Sequence, residues 1–160
     1  MSMPIDGDPA PEVALPDDGG AMHRLSEQVG RWTILYFYPK DDTPGCTVEA
    51  CGFRDINADF AGHGADVWGI SPQGATSKRA FREKFDLPFV LLADIDHAVA
   101  EAYGSWVAKQ NYGKTYWGTA RTTFIVGPDG RIARSWPKVK ADGHAAEVLA
   151  ALDELRTSRG

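Results

Sequence analysis

The stretch Trp32-Thr33-Ile34-Leu35-Tyr36-Phe37-Tyr38-Pro39-Lys40-Asp41-Asp42-Thr43-Pro44-Gly45-Cys46-Thr47-Val48-Glu49-Ala50-Cys51 decides the fold. Its first seven residues are nearly all β-branched or aromatic and do not alternate apolar with polar. That is the pattern of a central strand buried on both faces. Pro39 ends the strand, because proline brings no amide hydrogen to a ladder. A helix is expected to begin within residues 44–46, with Val48, Gly52, Ile56 and Phe60 as a buried stripe running toward Gly62. Cys46 then lies in the opening turn of that helix.

Outward from this stretch, further strands fit Ala65 to Ile70, Phe89 to Leu92 and Thr122 to Val126. Gly127-Pro128-Asp129-Gly130 turns the last of these into Ile132 to Trp136. Helical stretches lie between the strands. One starts near Ile95, with Val99, Ala102 and Tyr103 on one face, an Asp94 cap and a Gly104 stop. Another carries Ala145, Val148, Leu149, Leu152 and Leu155 behind an Asp142 cap. Val13 to Leu15 and Ala21 to Leu25 flank Asp17-Asp18-Gly19-Gly20, a composition that suits a small antiparallel hairpin. Pro4, Pro9 and Pro11 make residues 1–12 an extended arm, and residues 1–160 read as a single domain. Alternating strands and helices with a final hairpin imply an α/β fold around a mixed sheet.

Composition narrows the function. The chain has 160 residues, 43% of them apolar, with 17 basic against 22 acidic side chains and a net charge of −5. The basic residues are scattered, so neither nucleic acid nor an anionic membrane is an expected partner. The longest apolar runs, near Ile34 to Tyr38 and Leu87 to Ala93, fall short of the roughly 20 residues that span a bilayer. The acidic opening Asp6-Gly7-Asp8, with no apolar run behind it, is not a secretory signal, and a cytoplasmic protein is expected. The cysteines number two, Cys46 and Cys51, too sparse for a disulfide scaffold.

Taken alone, a lone cysteine is more often a small buried hydrophobe than a nucleophile. The position of Cys46 reverses that weighting, because free backbone N–H groups and the helix dipole favour a thiolate in a first turn. Thr43 can bring its hydroxyl near the sulfur, and Pro39 and Pro44 stiffen the loop. Cys51 is either core packing or a second redox group. Two positions five apart on a helix have Cα atoms about 8.6 Å from one another. A disulfide needs less than about 7 Å. If these two cysteines join, the first turns must unwind, and Gly45 and Gly52 make that easier.

Pro39, Thr43 and Cys46 spell Pro-x-x-x-Thr-x-x-Cys, and in this the chain resembles the peroxiredoxins, thiol peroxidases on a thioredoxin-like fold. The Cys46–Cys51 spacing, Phe37-Tyr38-Pro39 and Phe53-Arg54-Asp55 resemble the bacterioferritin-comigratory or Q-type branch. So do Ile70-Ser71-Pro72, Lys84-Phe85-Asp86-Leu87-Pro88-Phe89, Leu91-Leu92-Ala93-Asp94 and Tyr112 to Phe124, and the likeness runs from about Asp8 to Leu155. The resemblance implies a three-layer fold with a central mixed sheet flanked by helices and an N-terminal β-hairpin. It also implies Cys46 as the peroxidatic cysteine and Cys51 as the resolving one, closing an intramolecular disulfide. Thr43 would hydrogen-bond the sulfur and the peroxide, Pro39 would shield the site, and Arg121 would favour thiolate and bind the peroxide. Implied partners are a hydroperoxide and a thioredoxin-like dithiol, with no metal or organic cofactor and a monomer or weak dimer as the assembly. Gln73 departs from the branch, where an acidic residue is common.

Other features read as structural. The four histidines, His23, His63, His97 and His144, are expected on the surface, and Asp41 and Asp42 as solvated loop residues. Glu49, one turn beyond Cys46, has a hydrogen-bonding role open to it at the helix start. Trp106, Tyr112, Tyr116 and Trp117 are expected to cap the core from a loop, with a subunit interface as the alternative. A noncatalytic thiol switch is the competing function, and a general disulfide reductase a weaker one because Cys-x-x-Cys is absent.

Overall fold

The computed structural model describes residues 3–158, so Met1 and Ser2 of the expected arm lie outside the described residues. The central strand β3 (Trp32–Phe37) is buried along its whole length. Side chains alternate across a strand, and here both directions meet a core. Ile34 and Tyr36 point into one apolar cluster with Phe53, Phe60, Phe81, Val148 and Leu152. Leu35 and Phe37 point into a second with Leu15, Trp68, Val99, Tyr103 and Phe124. Burial on both faces is why the segment shows no polar alternation.

Parallel to β3 runs β4 (Ala65–Ser71), and parallel to β4 runs β5 (Val90–Ala93). On its other side β3 pairs antiparallel with β8 (Thr122–Val126), which pairs antiparallel with β9 (Ile132–Trp136). Among the described residues this mixed sheet has the order β5-β4-β3-β8-β9. Helices α1 (Pro44–Asp55), α2 (Asn57–Gly62), α3 (Ala75–Phe85) and α5 (His144–Ser158) bury residues in the first cluster. Helix α4 (Ala98–Ala102) and the hairpin of β1 (Ala14–Pro16) and β2 (Met22–Arg24) serve the second. The expected thioredoxin-like layering and N-terminal hairpin are therefore present. Gly69 in β4 has no substitute, since a Cβ there would stand 2.8 Å from the Tyr36 ring and hydroxyl. Among the described residues no helix is long and apolar enough to cross a membrane.

Four expectations need correction. The single helix running to Gly62 is two, because Ile56 leaves helical geometry (φ −120°, ψ 19°) and lets α2 turn Phe60 onto Phe53. The inward stripe of α1 is Cys46, Glu49, Ala50 and Phe53, while Val48 is 47% exposed. A strict spacing of four drifts about 40° per step at 100° per residue, whereas spacings of three and four together hold one face. The aromatic segment is a ribbon, β6 (Trp106–Asn111) and β7 (Lys114–Thr119), closed by Tyr112 and Gly113 with φ of 53° and 77°. Two consecutive positive φ values give the tight turn whose twist matches a hairpin. Trp106 stacks on His97 and packs against the second core, but Tyr112 is 98% exposed and Tyr116 and Trp117 also face solvent.

His144, finally, is buried at the start of α5 and not on the surface. Its ring nitrogens lie 2.9 Å from Glu147 Oε1 and 2.8 Å from Thr123 Oγ1. Burial holds its pKa below the ordinary value, against the pull of Glu147.

Candidate active site

Pro39 closes β3, and the turn that follows delivers the chain to Thr43, the N-cap residue of α1, in extended geometry. The first turn of α1 is Pro44, Gly45, Cys46 and Thr47, and the Thr47 amide is bonded back to the Thr43 carbonyl at 2.8 Å. The amides of Gly45 and Cys46 precede the first possible intrahelical partner, so they present donors at the positive end of the helix. Cys46 sits there 1% exposed, and both cysteines are free thiols.

Arg121, immediately before β8, reaches this turn from the sheet. Its Nη2 donates to Cys46 Sγ at 3.4 Å, and its Nη1 donates to Glu49 Oε1 at 2.8 Å. Cys46 and Glu49 share the inward face of α1 because they are three residues apart, so one planar guanidinium bridges both. Gly45 makes room for it, since a Cβ there would lie 3.0 Å from Arg121 Nη2. Burial lowers the basicity of Arg121, but the charges of Glu49 and Cys46 outweigh it and leave its pKa raised. Burial pushes the Glu49 carboxyl up to about 7, against the opposing charge and hydrogen bond of Arg121. The second carboxylate oxygen, Oε2, has no hydrogen-bond partner among the described residues.

Thr43 is half-buried, and its hydroxyl donates to the Lys40 carbonyl at 3.0 Å. With its proton committed there, the hydroxyl offers lone pairs to anything else that approaches. Pro39 is also half-buried, its carbonyl taking a bond from Gln73 Nε2 at 3.1 Å. Lys109 of β6 is held by Thr119 O at 2.6 Å, and burial and then the charge of Arg121 lower its pKa, against the opposing pull of Cys46. The structure thus gathers Cys46 and Arg121 and adds Glu49, while Thr43 and Pro39 frame the loop. Cys51 lies half-buried farther along α1. Because α1 is continuous between the two cysteines, its geometry keeps their Cα atoms about 8.6 Å apart.

Residues 7–135 match the family model described as AhpC/TSA family. The chain belongs to the AhpC/TSA family. Among relatives in this family, a putative peroxiredoxin Bcp of Coxiella burnetii is 50% identical over 152 residues, 95% of this chain and all of the relative. Peroxiredoxin Bcp of Bacillus subtilis is 45% identical over 149 residues, 93% of this chain and 95% of the relative. In three dimensions the fold matches a Xanthomonas campestris bacterioferritin comigratory protein with alkyl peroxide reduction activity. The TM-score is 0.85 at 38% identity, over 89% of this chain and 90% of that one.

A second buried cluster beside the loop went unread in the sequence. Asp41, expected to be solvated, is buried in a closed polar network under the loop. Its carboxylate accepts from Tyr38 Oη at 2.5 Å and Ser77 Oγ at 2.8 Å, and both oxygens lie 3.4 Å from Lys78 Nζ. Gln73 accepts the Asp41 amide at 3.0 Å and the Ser71 hydroxyl at 2.7 Å. Asp42 does face solvent, in the left-handed region at φ 57°, paired with Lys84 at 2.9 Å. A signal for Lys78 was available: it falls on one helical face with Phe81 and Phe85, an inward position for a lysine.

Proposed function

We propose that the chain is a thiol peroxidase in which Cys46 is the peroxidatic cysteine, Cys51 the resolving cysteine and Arg121 the electrostatic partner of the reacting sulfur. The observation that carries this reading is the 3.4 Å contact from Arg121 Nη2 to a buried sulfur in a helix's first turn, with Glu49 fixing the guanidinium. A fixed cation beside sulfur favours the charged nucleophile and stabilises charge on a departing oxygen. Pro39 and the loop it starts exclude water from the sulfur.

The thiolate of Cys46 attacks the terminal oxygen of a hydroperoxide, forming an S–O bond as the O–O bond breaks. The leaving oxygen takes a proton and departs as water or an alcohol, and Cys46 becomes a sulfenic acid. Thr43, already donating to Lys40, accepts the hydrogen bond of the incoming peroxide O–H. The first turns of α1 then unwind, and the Cys51 sulfur displaces hydroxide from the sulfenic sulfur. Disulfide and water result. An external dithiol of the thioredoxin type reduces the bridge by two exchange steps and is itself oxidised to a disulfide. We place this reaction in the cytoplasm, where dithiol reductants are maintained, and a monomer or weak dimer suffices, because both cysteines lie in one chain.

Stopped-flow peroxide consumption and thiol-labelling mass spectrometry after one equivalent of peroxide test this. Wild type consumes peroxide rapidly and gains an internal bridge. Cys46→Ser loses the reaction, and Cys51→Ser completes one turnover and holds a sulfenate. Slow stoichiometric oxidation of wild type, without peroxide turnover, would overturn the assignment and favour a thiol switch.

A further inference from the structure

The turn that feeds α1 is clamped by buried groups at residues 39–41 and by exposed contacts alone at Asp42 and Thr43. Asp41 is 7% exposed, and its carboxylate is enclosed by Tyr38, Ser71, Ser77 and Lys78. Lys78, on α3, is wholly buried, with Asp41 and Ser71 Oγ as its hydrogen-bond partners and the Tyr38 ring centre 5.4 Å away. Gln73 ties the same turn by its bonds to the Asp41 amide and the Pro39 carbonyl. Past Asp41 the buried clamp gives way to exposed contacts, the Asp42–Lys84 pair at 2.9 Å and the Thr43 hydroxyl on the Lys40 carbonyl at 3.0 Å. Asp42 turns in the left-handed region, the Thr43 side chain makes no capping bond, and Pro44 and Gly45 open the helix. Proline has no amide to donate and glycine forms helix poorly, so the boundary between fixed and labile chain falls at Asp42.

That boundary matters because bridging Cys46 to Cys51 requires the first turns of α1 to unwind. A buried ion pair is a weak device for net stability, since desolvation offsets much of its Coulomb energy. What it does is fix position: both charges must stay together or one is left buried and unpaired. We propose that Lys78 is a positioning residue: through Asp41 it holds residues 39–41 as the rigid abutment of α1 and so sets how readily the helix start unwinds. The kinetic part of this inference rests on the thiol-peroxidase reading above.

The test compares wild type with Asp41→Asn/Lys78→Met, which removes both charges and strands neither. On the reduced proteins, hydrogen exchange is followed at the amides of residues 47–51 and, as the internal reference, at residues 32–37 of β3. With one equivalent of hydrogen peroxide, rapid quenching follows sulfenate formation and disulfide formation separately. The expected result is about tenfold faster exchange at 47–51 with β3 unchanged, about tenfold faster disulfide formation, and sulfenate formation within about twofold of wild type. Equal exchange in the two proteins, or a rise shared by β3, overturns the proposal, because a merely structural role loosens the whole sheet together. If the double variant does not fold, Asp41→Asn/Lys78→Gln, also without charge but with polar groups left to hydrogen-bond, takes its place with the same expected split. If wild type forms no bridge, it is the assignment of Cys51 that fails, and the exchange data still decide the role of Lys78.

Discussion

Two buried charged clusters flank the turn between β3 and α1, and they are completed differently. On the side of α3, Asp41 and Lys78 are enclosed by Tyr38, Ser71 and Ser77, so both carboxylate oxygens and the ammonium have partners. On the side of β8, Arg121 spans Cys46 and Glu49, yet among the described residues Glu49 Oε2 is unpartnered and the sulfur takes one side-chain hydrogen bond. A saturated network resists change, because any movement strands a polar group. An unsaturated one is poised for an incoming ligand or a change of charge. The contrast teaches where chemistry and where support reside around a loop of six residues, 38–43. It can be broken from either side.

The largest effect is expected from emptying the saturated cluster on one side only. Asp41→Ala leaves the Lys78 ammonium buried without its counter-charge, which should lower unfolding free energy by about 3 kcal/mol. Urea denaturation of the reduced protein measures it. A loss below about 1 kcal/mol, the range of an exposed pair, would mean that the network is not closed as described.

On the other side, Arg121→Ala takes the counter-charge from the buried Glu49 carboxyl and should slow peroxide reduction by roughly 10²-fold, the usual consequence of losing one electrostatic donor at a reacting centre. Arg121→Lys should not restore it, because a compact ammonium lacks the two separated nitrogens with which the planar fork reaches Glu49 and Cys46 at once. A smaller version is Gly45→Ala. The added methyl meets Nη2 at 3.0 Å, so either the guanidinium or the helix start must yield. Roughly tenfold slower Cys46 oxidation is expected, about 1.4 kcal/mol of barrier. Stopped-flow fluorescence or competition kinetics reads both variants.

The same two clusters show how far the sequence could be read. Strand β3, the hairpin from β8 to β9 and the first-turn placement of Cys46 follow from patterns that local physics enforces: two-face burial, Gly-Pro-Asp-Gly and proline punctuation. Arg121 came only through resemblance, because its link to Cys46 crosses 75 residues of chain and leaves no periodic trace. Lys78 and Asp41 were unread for a different reason. Charge ordinarily marks a solvated face, and only the shared face of Lys78, Phe81 and Phe85 argued otherwise. His144 has the same kind of signal, four residues before Val148 on the buried stripe of α5. Buried pairs are found from sequence by asking which polar residue interrupts an apolar stripe, and then which distant residue could answer it.

The unsaturated cluster also has a signature in pH. Glu49 ionises near 4.5 in an open chain, and burial raises it to about 7 in the folded protein. Between those values the folded state holds a proton that the unfolded state has released, so stability must fall as pH rises across that interval. The penalty is fully present above about 7 and is relieved as pH falls through it. Glu49→Gln cannot titrate there. The difference in unfolding free energy between wild type and Glu49→Gln should therefore shift against wild type by about 1 kcal/mol from pH 6 to pH 8. Urea titrations at the two pH values, with both thiols kept reduced, measure the shift. A shift in favour of wild type would require a carboxylate that gains more from Arg121 than burial takes away, and would overturn the reading of Glu49 as the under-partnered member of its cluster.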